Sequence, residues 1–266
     1  MSCRPLVTEF QFRAPFPLES MSLFRPVSAA DLEGRKRIYA DPAFRAAFRD
    51  RIDGRLGLLT ARFPEMEIGD HAPDPSVNGR RLGEVAAERG VHPVDLALDL
   101  SLANRLETRF RLAIFNTDEA VVAELLTHPA TMIGLSDAGA HASQLCDACA
   151  PTDLLGRWVR EKRVLSLEEG VRRLTSEPAE VFGIADRGRL AVGLAADLTV
   201  FDPATVGCGP LRRVRDFPAG ADRLVSDARG IRAVVVNGVV IREDGRDALA
   251  PDAPLPGRVL RGGRGS

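Results

Sequence analysis

The sequence lacks any long apolar run. Stretches such as 233–236 fall far short of the roughly 18–20 residues that span a bilayer, so no membrane role is expected. Its first residues also lack the charged segment and apolar run of a signal peptide. Cysteine is scarce: Cys3, Cys146, Cys149 and Cys208 are too few in a chain this long for a disulfide framework, which points to a reducing cytoplasm. Neither sign of charge dominates, because 36 Lys and Arg face 37 Asp and Glu for a formal net charge of -1. No long-range field is left to gather nucleic acid. Lysine is nearly missing, with Lys36 and Lys162 against a large excess of arginine, a pattern that GC-biased codon usage accounts for.

Several chemical signatures are missing too. There is no nucleophile elbow, no P-loop and no dinucleotide-binding glycine pattern, which removes most support for serine-hydrolase, kinase and dehydrogenase readings. His71, His92, His128 and His141 form neither an H-x-H pair nor the H-E-x-x-H spacing that sets two imidazoles on one helix face. His71 and His92 stand near prolines in a loop and at a helix start, and His128 ends a helix. Cys146 and Cys149 make a single C-x-x-C, but a zinc site of that style needs a second pair. No helix start obviously follows the motif, so a thioredoxin-like role is weak and the pair reads as loop packing.

What is present is an ordinary globular composition, 45% hydrophobic and 27% charged over 266 residues. A strand is predicted at 6–12, two short helices between 28 and 52, a strand at 63–69, and a helix over 81–89 stopped by Gly90. The helix beginning at His92-Pro93 has little polar surface and is expected to be buried. A strand at 109–115, a helix at 118–127 and an apolar parallel-type strand at 131–135 then follow βαβ grammar. Helices are predicted at 152–161, 166–175 and 178–182. Past 188 the pattern changes to short strands at 197–201, 231–236 and 239–242, with Asn237-Gly238 a clear hairpin turn. The tail from 251 to 266 reads as extended.

Asp137 is the most informative position, since it closely follows the predicted strand at 131–135 in Ser136-Asp137-Ala138-Gly139-Ala140-His141. Active-site groups of α/β barrels project from the C-terminal ends of strands. A carboxylate there can bind metal or take a proton from water; it can also simply cap the next turn. His141 is open to the roles of ligand, proton shuttle or hydrogen-bond partner of Asp137.

These residues carry a resemblance. The run from Thr131 through His141, followed by Cys146-Asp147-Ala148-Cys149 and Leu155-Gly156-Arg157-Trp158-Val159-Arg160-Glu161, resembles the last barrel segment of the N-acyl-D-amino-acid deacylases of the amidohydrolase superfamily. Arg187-Gly188-Arg189-Leu190, Gly193 and Ala196-Asp197-Leu198 resemble that superfamily's junction from barrel to β domain, and Val235-Val236-Asn237-Gly238 its closing strands. Ser2-Cys3-Arg4-Pro5 is similar to a mid-barrel segment.

The resemblance implies an α/β chain: the C-terminal part of a TIM-like (β/α)8 metal-dependent hydrolase barrel over 1–187, a small β-sandwich-type domain over 188–250, and a tail over 251–266. It implies hydrolysis of a non-peptide amide C–N bond in an N-acyl amino acid by zinc-activated water, with Asp137 as general base and then acid. Arg4, His141 and Arg157 are the substrate-binding candidates. For metal, the chain offers Asp137 with His141 as a further candidate, while a catalytic zinc needs three protein ligands. A barrel alone takes about 250 residues, so the length reads as that of a C-terminal half. An absent N-terminal half or a second copy is the expected cover for open barrel edges. The competing expectation is a catalytically inactive fragment or a non-catalytic partner of a separate N-terminal half.

Overall fold

The computed structural model describes residues 1–54, 57–134, 136 and 138–260. Leu135 and Asp137 lie outside the described residues. The chain divides into two compact units, one of residues 6–115 with 143–145, the other of residues 1–5, 116–142 and 146–266. The expected boundary at 188 falls inside the second of these, as a change from helices to strands.

The 6–115 unit is built on a three-stranded antiparallel sheet of β1 (Leu6–Gln11), β2 (Glu67–Asp70) and β3 (Arg109–Phe115), in the order β1-β3-β2. Strand β3 alternates as the sequence predicts, burying Phe110 and Leu112. Helices pack on it. α1 (Leu32–Ala40) is capped by Asp31, whose carboxylate accepts from the Gly34 N–H, and α2 (Pro42–Asp53) is capped by Asp41. α3 (Leu82–Arg89) ends at Gly90, which takes a left-handed conformation at φ 66°. α4 (Pro93–Ala103) buries Val94, Leu96, Ala97, Leu98, Leu100 and Ser101, as its apolar composition requires. Its cap is His92, whose ring nitrogen accepts from the Val94 N–H. The core is an aromatic cluster, with Phe12 meeting Tyr39 and Phe110 edge to face at 5.3 and 5.7 Å between ring centres.

The other unit begins with α5 (Glu119–Thr127), capped by Asp118. The strand predicted at 131–135 is corrected over its described part: residues 131–134 carry no strand among the described residues. The reason is the length of the pairing. The Met1 nitrogen donates to the Met132 carbonyl at 2.8 Å, and the Gly134 N–H donates to the Met1 carbonyl at 3.0 Å. These two bonds embrace Ile133 in the pattern of a parallel bridge, and a single bridge does not make a strand.

Past Cys149, one helical turn (Ala150–Asp153) runs into a wide π-type helix, Leu154–Glu161, followed by α6 (Leu167–Leu174) and α7 (Ser176–Val181). Beyond these lie β4 (Leu198–Phe201), β5 (Gly207–Val214), β6 (Arg223–Arg229), β7 (Ile231–Val236), β8 (Val239–Glu243) and β9 (Arg246–Asp247). They form a sheet of order β4-β7-β8-β9 and a separate β5-β6 pair, all antiparallel. The β7–β8 turn is the predicted Asn237-Gly238, with φ of 47° and 80°. Strands β5 and β6 are not visible in the sequence pattern. Their charged residues pair instead, as in Arg212–Asp227 across the ladder at 3.0 Å and Arg213 with Asp222 just before β6 at 3.1 Å.

Candidate functional site

Asp137, which carries the sequence argument, lies outside the described residues. Next to it Ser136 is half-buried, and Ala138–Ala140 form an exposed turn that ends in His141, itself exposed at φ 45°.

The described groups converge on Arg4. Asn116, just past β3, holds this segment by donating from its side-chain nitrogen to the Ser2 and Arg4 carbonyls at 3.4 and 3.1 Å. Beside it the buried Cys3 carbonyl accepts from the Trp158 indole N–H at 2.8 Å. The Cys3 thiol donates to the Ala150 carbonyl at 3.4 Å, and burial pushes its pKa up to about 12. The Arg4 guanidinium donates to the Cys146 carbonyl at 3.1 Å and to the Cys149 sulfur. It also lies 3.4 Å from Asp147 and 3.7 Å from Asp153.

Around that guanidinium the thiols differ. The Cys149 thiol is pulled down to about 6, first by a hydrogen bond from the Cys208 thiol and then by the Arg4 charge, against the opposing effect of burial. Cys208 is driven up, first by its hydrogen bond to Cys149 and then by burial, and Cys146 is raised by burial. Burial also raises the Asp153 carboxyl, partly offset by Arg4 and Arg157.

The reading of the cysteines is therefore corrected in two respects. A helix start does follow Cys149, at Ala150, and the sulfur set against Cys149 comes from β5, 59 residues on. No local spacing could have shown this. The Cys208 sulfur also lies 3.2 Å from the Cys149 carbonyl oxygen and 3.4 Å from the Thr152 hydroxyl.

Arg157 pairs with Glu119 of α5, and its guanidinium sits 5.4 Å from the centre of the Trp158 ring. It lines a polar cavity of about 550 Å³ together with Arg160, Arg229, Asp153, Thr152 and Cys208. Arg4 and Arg157 thus both act on Asp153, and the Arg4 guanidinium is taken up by this chain's own acceptors. Among the described residues no group of three His, Cys, Asp or Glu side chains could hold a metal ion. Those residues do not fit a catalytic zinc.

The residues of the junction motif do meet. Arg187 pairs with Asp197 and donates to the Asn237 side-chain oxygen at 3.0 Å, while Asp197 accepts from the Asn237 N–H at 2.7 Å. The Asn237 N–H and Arg187 hold the Asp197 carboxyl low despite its desolvation. These positions fasten the β7–β8 turn to the segment before β4, which gives them a structural task.

A model of the amidohydrolase family matches residues 69–242. The chain belongs to that family. It is 38% identical over 201 residues to the N-acyl-D-glutamate deacylase of Alcaligenes xylosoxydans xylosoxydans, covering 74% of this chain and 36% of that protein. The D-aminoacylase of the same organism is 36% identical over 174 residues, or 65% of this chain and 32% of its own length. A crystal structure of the Bordetella bronchiseptica N-acyl-D-glutamate deacylase, complexed with zinc and a phosphonate inhibitor that mimics the tetrahedral intermediate, shares 31% identity. It covers 77% of this chain and 40% of the other, with a TM-score of 0.41. The chain spans about a third of the length of the curated relatives it matches.

Proposed function

We propose that this chain supplies the closing barrel segments and the β domain of a deacylase-type amidohydrolase that cleaves the amide C–N bond of an N-acyl-D-amino acid. The observation that carries this reading is the family match over 69–242, which contains the Ser136-Asp137 motif. The parallel bridging of Met1 and Ile133 just before that motif suits adjacent barrel strands. In this reading Asp137 accepts a proton from the attacking water and returns one to the departing amine. His141 and Arg157 are the substrate-binding groups, with Arg4 supporting the same region through Asp153. A barrel segment over 1–187, a β-sandwich over 188–250 and a cytoplasmic location complete the reading.

A divalent metal in such an enzyme polarises the carbonyl and activates water. The described residues of this chain include no three-donor group for one, and in this reading further polypeptide completes its ligands. The exposed apolar side chains of Val181, Phe182, Leu190 and Val192 suit cover by such a segment. The competing, second reading is that the 266-residue chain by itself is a non-catalytic component.

The test joins this chain to the N-terminal portion of a deacylase relative and assays release of free amine from N-acyl-D- and N-acyl-L-amino acids with added zinc. Turnover that prefers the D series and falls by about 10²–10⁴ in Asp137→Asn, the usual scale for a general base, supports the first reading. Turnover unchanged in Asp137→Asn removes that residue from the mechanism. Absence of hydrolysis in every assembly leaves the second reading standing.

A further inference from the structure

We propose that Cys149 and Cys208 form a reversible oxidation site, at which a hydroperoxide oxidises the Cys149 sulfur and Cys208 closes a disulfide onto it. The placement of four groups supports this. Cys149, only 5% exposed, immediately precedes a helical turn and has its sulfur hydrogen-bonded by the Arg4 guanidinium. Cys208, on β5, brings its sulfur to 3.2 Å from the Cys149 carbonyl oxygen and is steered by the Thr152 hydroxyl at 3.4 Å. Cys208 and Thr152 line the polar cavity of about 550 Å³, which brings small solutes to the Cys208 side of the pair. The charges facing Cys149 are the Arg4 cation and, acting through it, Asp147 and Asp153.

The chemistry follows from that arrangement. A thiolate is the nucleophile in peroxide reduction, and a neighbouring cation with a thiol donor holds Cys149 in that form. Its sulfur attacks one peroxide oxygen and the O–O bond breaks. The departing oxygen takes a proton and leaves as water or an alcohol, so Cys149 becomes a sulfenic acid. The Cys208 sulfur then attacks the Cys149 sulfur, the S–O bond breaks, and hydroxide leaves with the Cys208 proton as water. Two electrons have passed from the two sulfurs to the peroxide, and a dithiol reductant reverses the change by exchange. The bridge ties the start of the π-type helix to β5 and removes the anionic sulfur from Arg4. Cys146, three residues before Cys149 in the same C-x-x-C, is the competing partner that the mapping must distinguish.

The experiment is stoichiometric hydrogen peroxide on the reduced full chain, followed by intact mass, thiol counting and non-reducing peptide mapping. The expected result is loss of two hydrogens and of two of the four free thiols, with the linked peptides carrying Cys149 and Cys208 and full reversal by dithiothreitol. In Cys208→Ser the same treatment should leave a sulfenic acid on Cys149 that dimedone traps. In wild type the rate of thiol loss should be flat above about pH 7 and fall as pH drops through about 6, far below the ordinary thiol range. Linkage of Cys146 to Cys149, equal oxidation of all four cysteines, or a rate that rises only near pH 9 would each overturn the proposal. Because the mapping is made on the unmodified chain, it does not depend on the folding of any variant.

Discussion

The indole of Trp158 and the carbonyl of Cys3 share a buried hydrogen bond of 2.8 Å that ties the π-type helix to the segment bearing Arg4. Trp158→Phe keeps most of the ring and orphans that carbonyl, so an equilibrium loss of about 1–3 kcal/mol is expected. Trp158→Ala adds a cavity and should cost about 3–5 kcal/mol. Urea unfolding followed by circular dichroism measures both; a Phe variant as stable as wild type would show that the bond is idle.

Gly156 lies where the helix meets the start of β5. A Cβ there would sit 2.8 Å from the Val206 carbonyl oxygen and 3.0 Å from the Gly207 Cα, both backbone atoms that cannot swing aside. Gly156→Ala is therefore expected to destabilise by about 1–3 kcal/mol despite its better helix propensity. A gain in stability by denaturant titration would mean that β5 gives way without strain.

His71 is 2% exposed and is hydrogen-bonded at Nδ1 to Thr108 at 2.9 Å, while the Thr108 hydroxyl donates to the Leu100 carbonyl at 2.9 Å. The threonine's one hydrogen is thus committed, so His71 is the donor and carries its proton on Nδ1. Burial lowers its pKa below the ordinary 6.5, so on acidification the unfolded chain takes up a proton first. Stability should be complete above pH 6.5 and decline as pH falls from there through the folded value. In His71→Gln the slope of unfolding free energy against pH below 6.5 should be shallower; an unaltered slope would place the titration elsewhere.

Purified with excess zinc and desalted, the chain should retain well below one equivalent by elemental analysis, because its described residues supply no three-donor group. One tightly held equivalent would reveal a donor set that those residues do not contain.

Local order was legible in the sequence wherever a cap, a turn or a periodic face decided it. Asp31, Asp41 and Asp118 cap helices, Gly90 stops one and Asn237-Gly238 turns a hairpin, each through contacts a few residues apart. The segment at 131–134 reads as a strand from its composition, yet strand formation depends on a neighbour, and among the described residues its pairing with Met1 is a single bridge. Strands β5 and β6 were hidden for the opposite reason: their arginines and aspartates look solvent-loving until the ladder brings Arg212 and Asp227 together on the diagonal. The Arg4 cluster was beyond reach because its members, Arg4, Cys149 and Cys208, are brought together from three distant parts of the chain.

The fastening of Asn237 bears on how the molecule ages. Asn-Gly sequences are the ones most prone to deamidation, since an unhindered glycine nitrogen can attack the asparagine side-chain carbonyl. Here the Gly238 N–H is committed to the Ala196 carbonyl at 2.9 Å, and the Asn237 amide is held between Arg187 and the Pro256 carbonyl, at 3.0 and 2.6 Å. The folded turn therefore shelters a bond that the unfolded chain would lose to hydrolysis. Where deamidation did occur, it would set a new carboxylate beside Asp197, in competition for the same arginine.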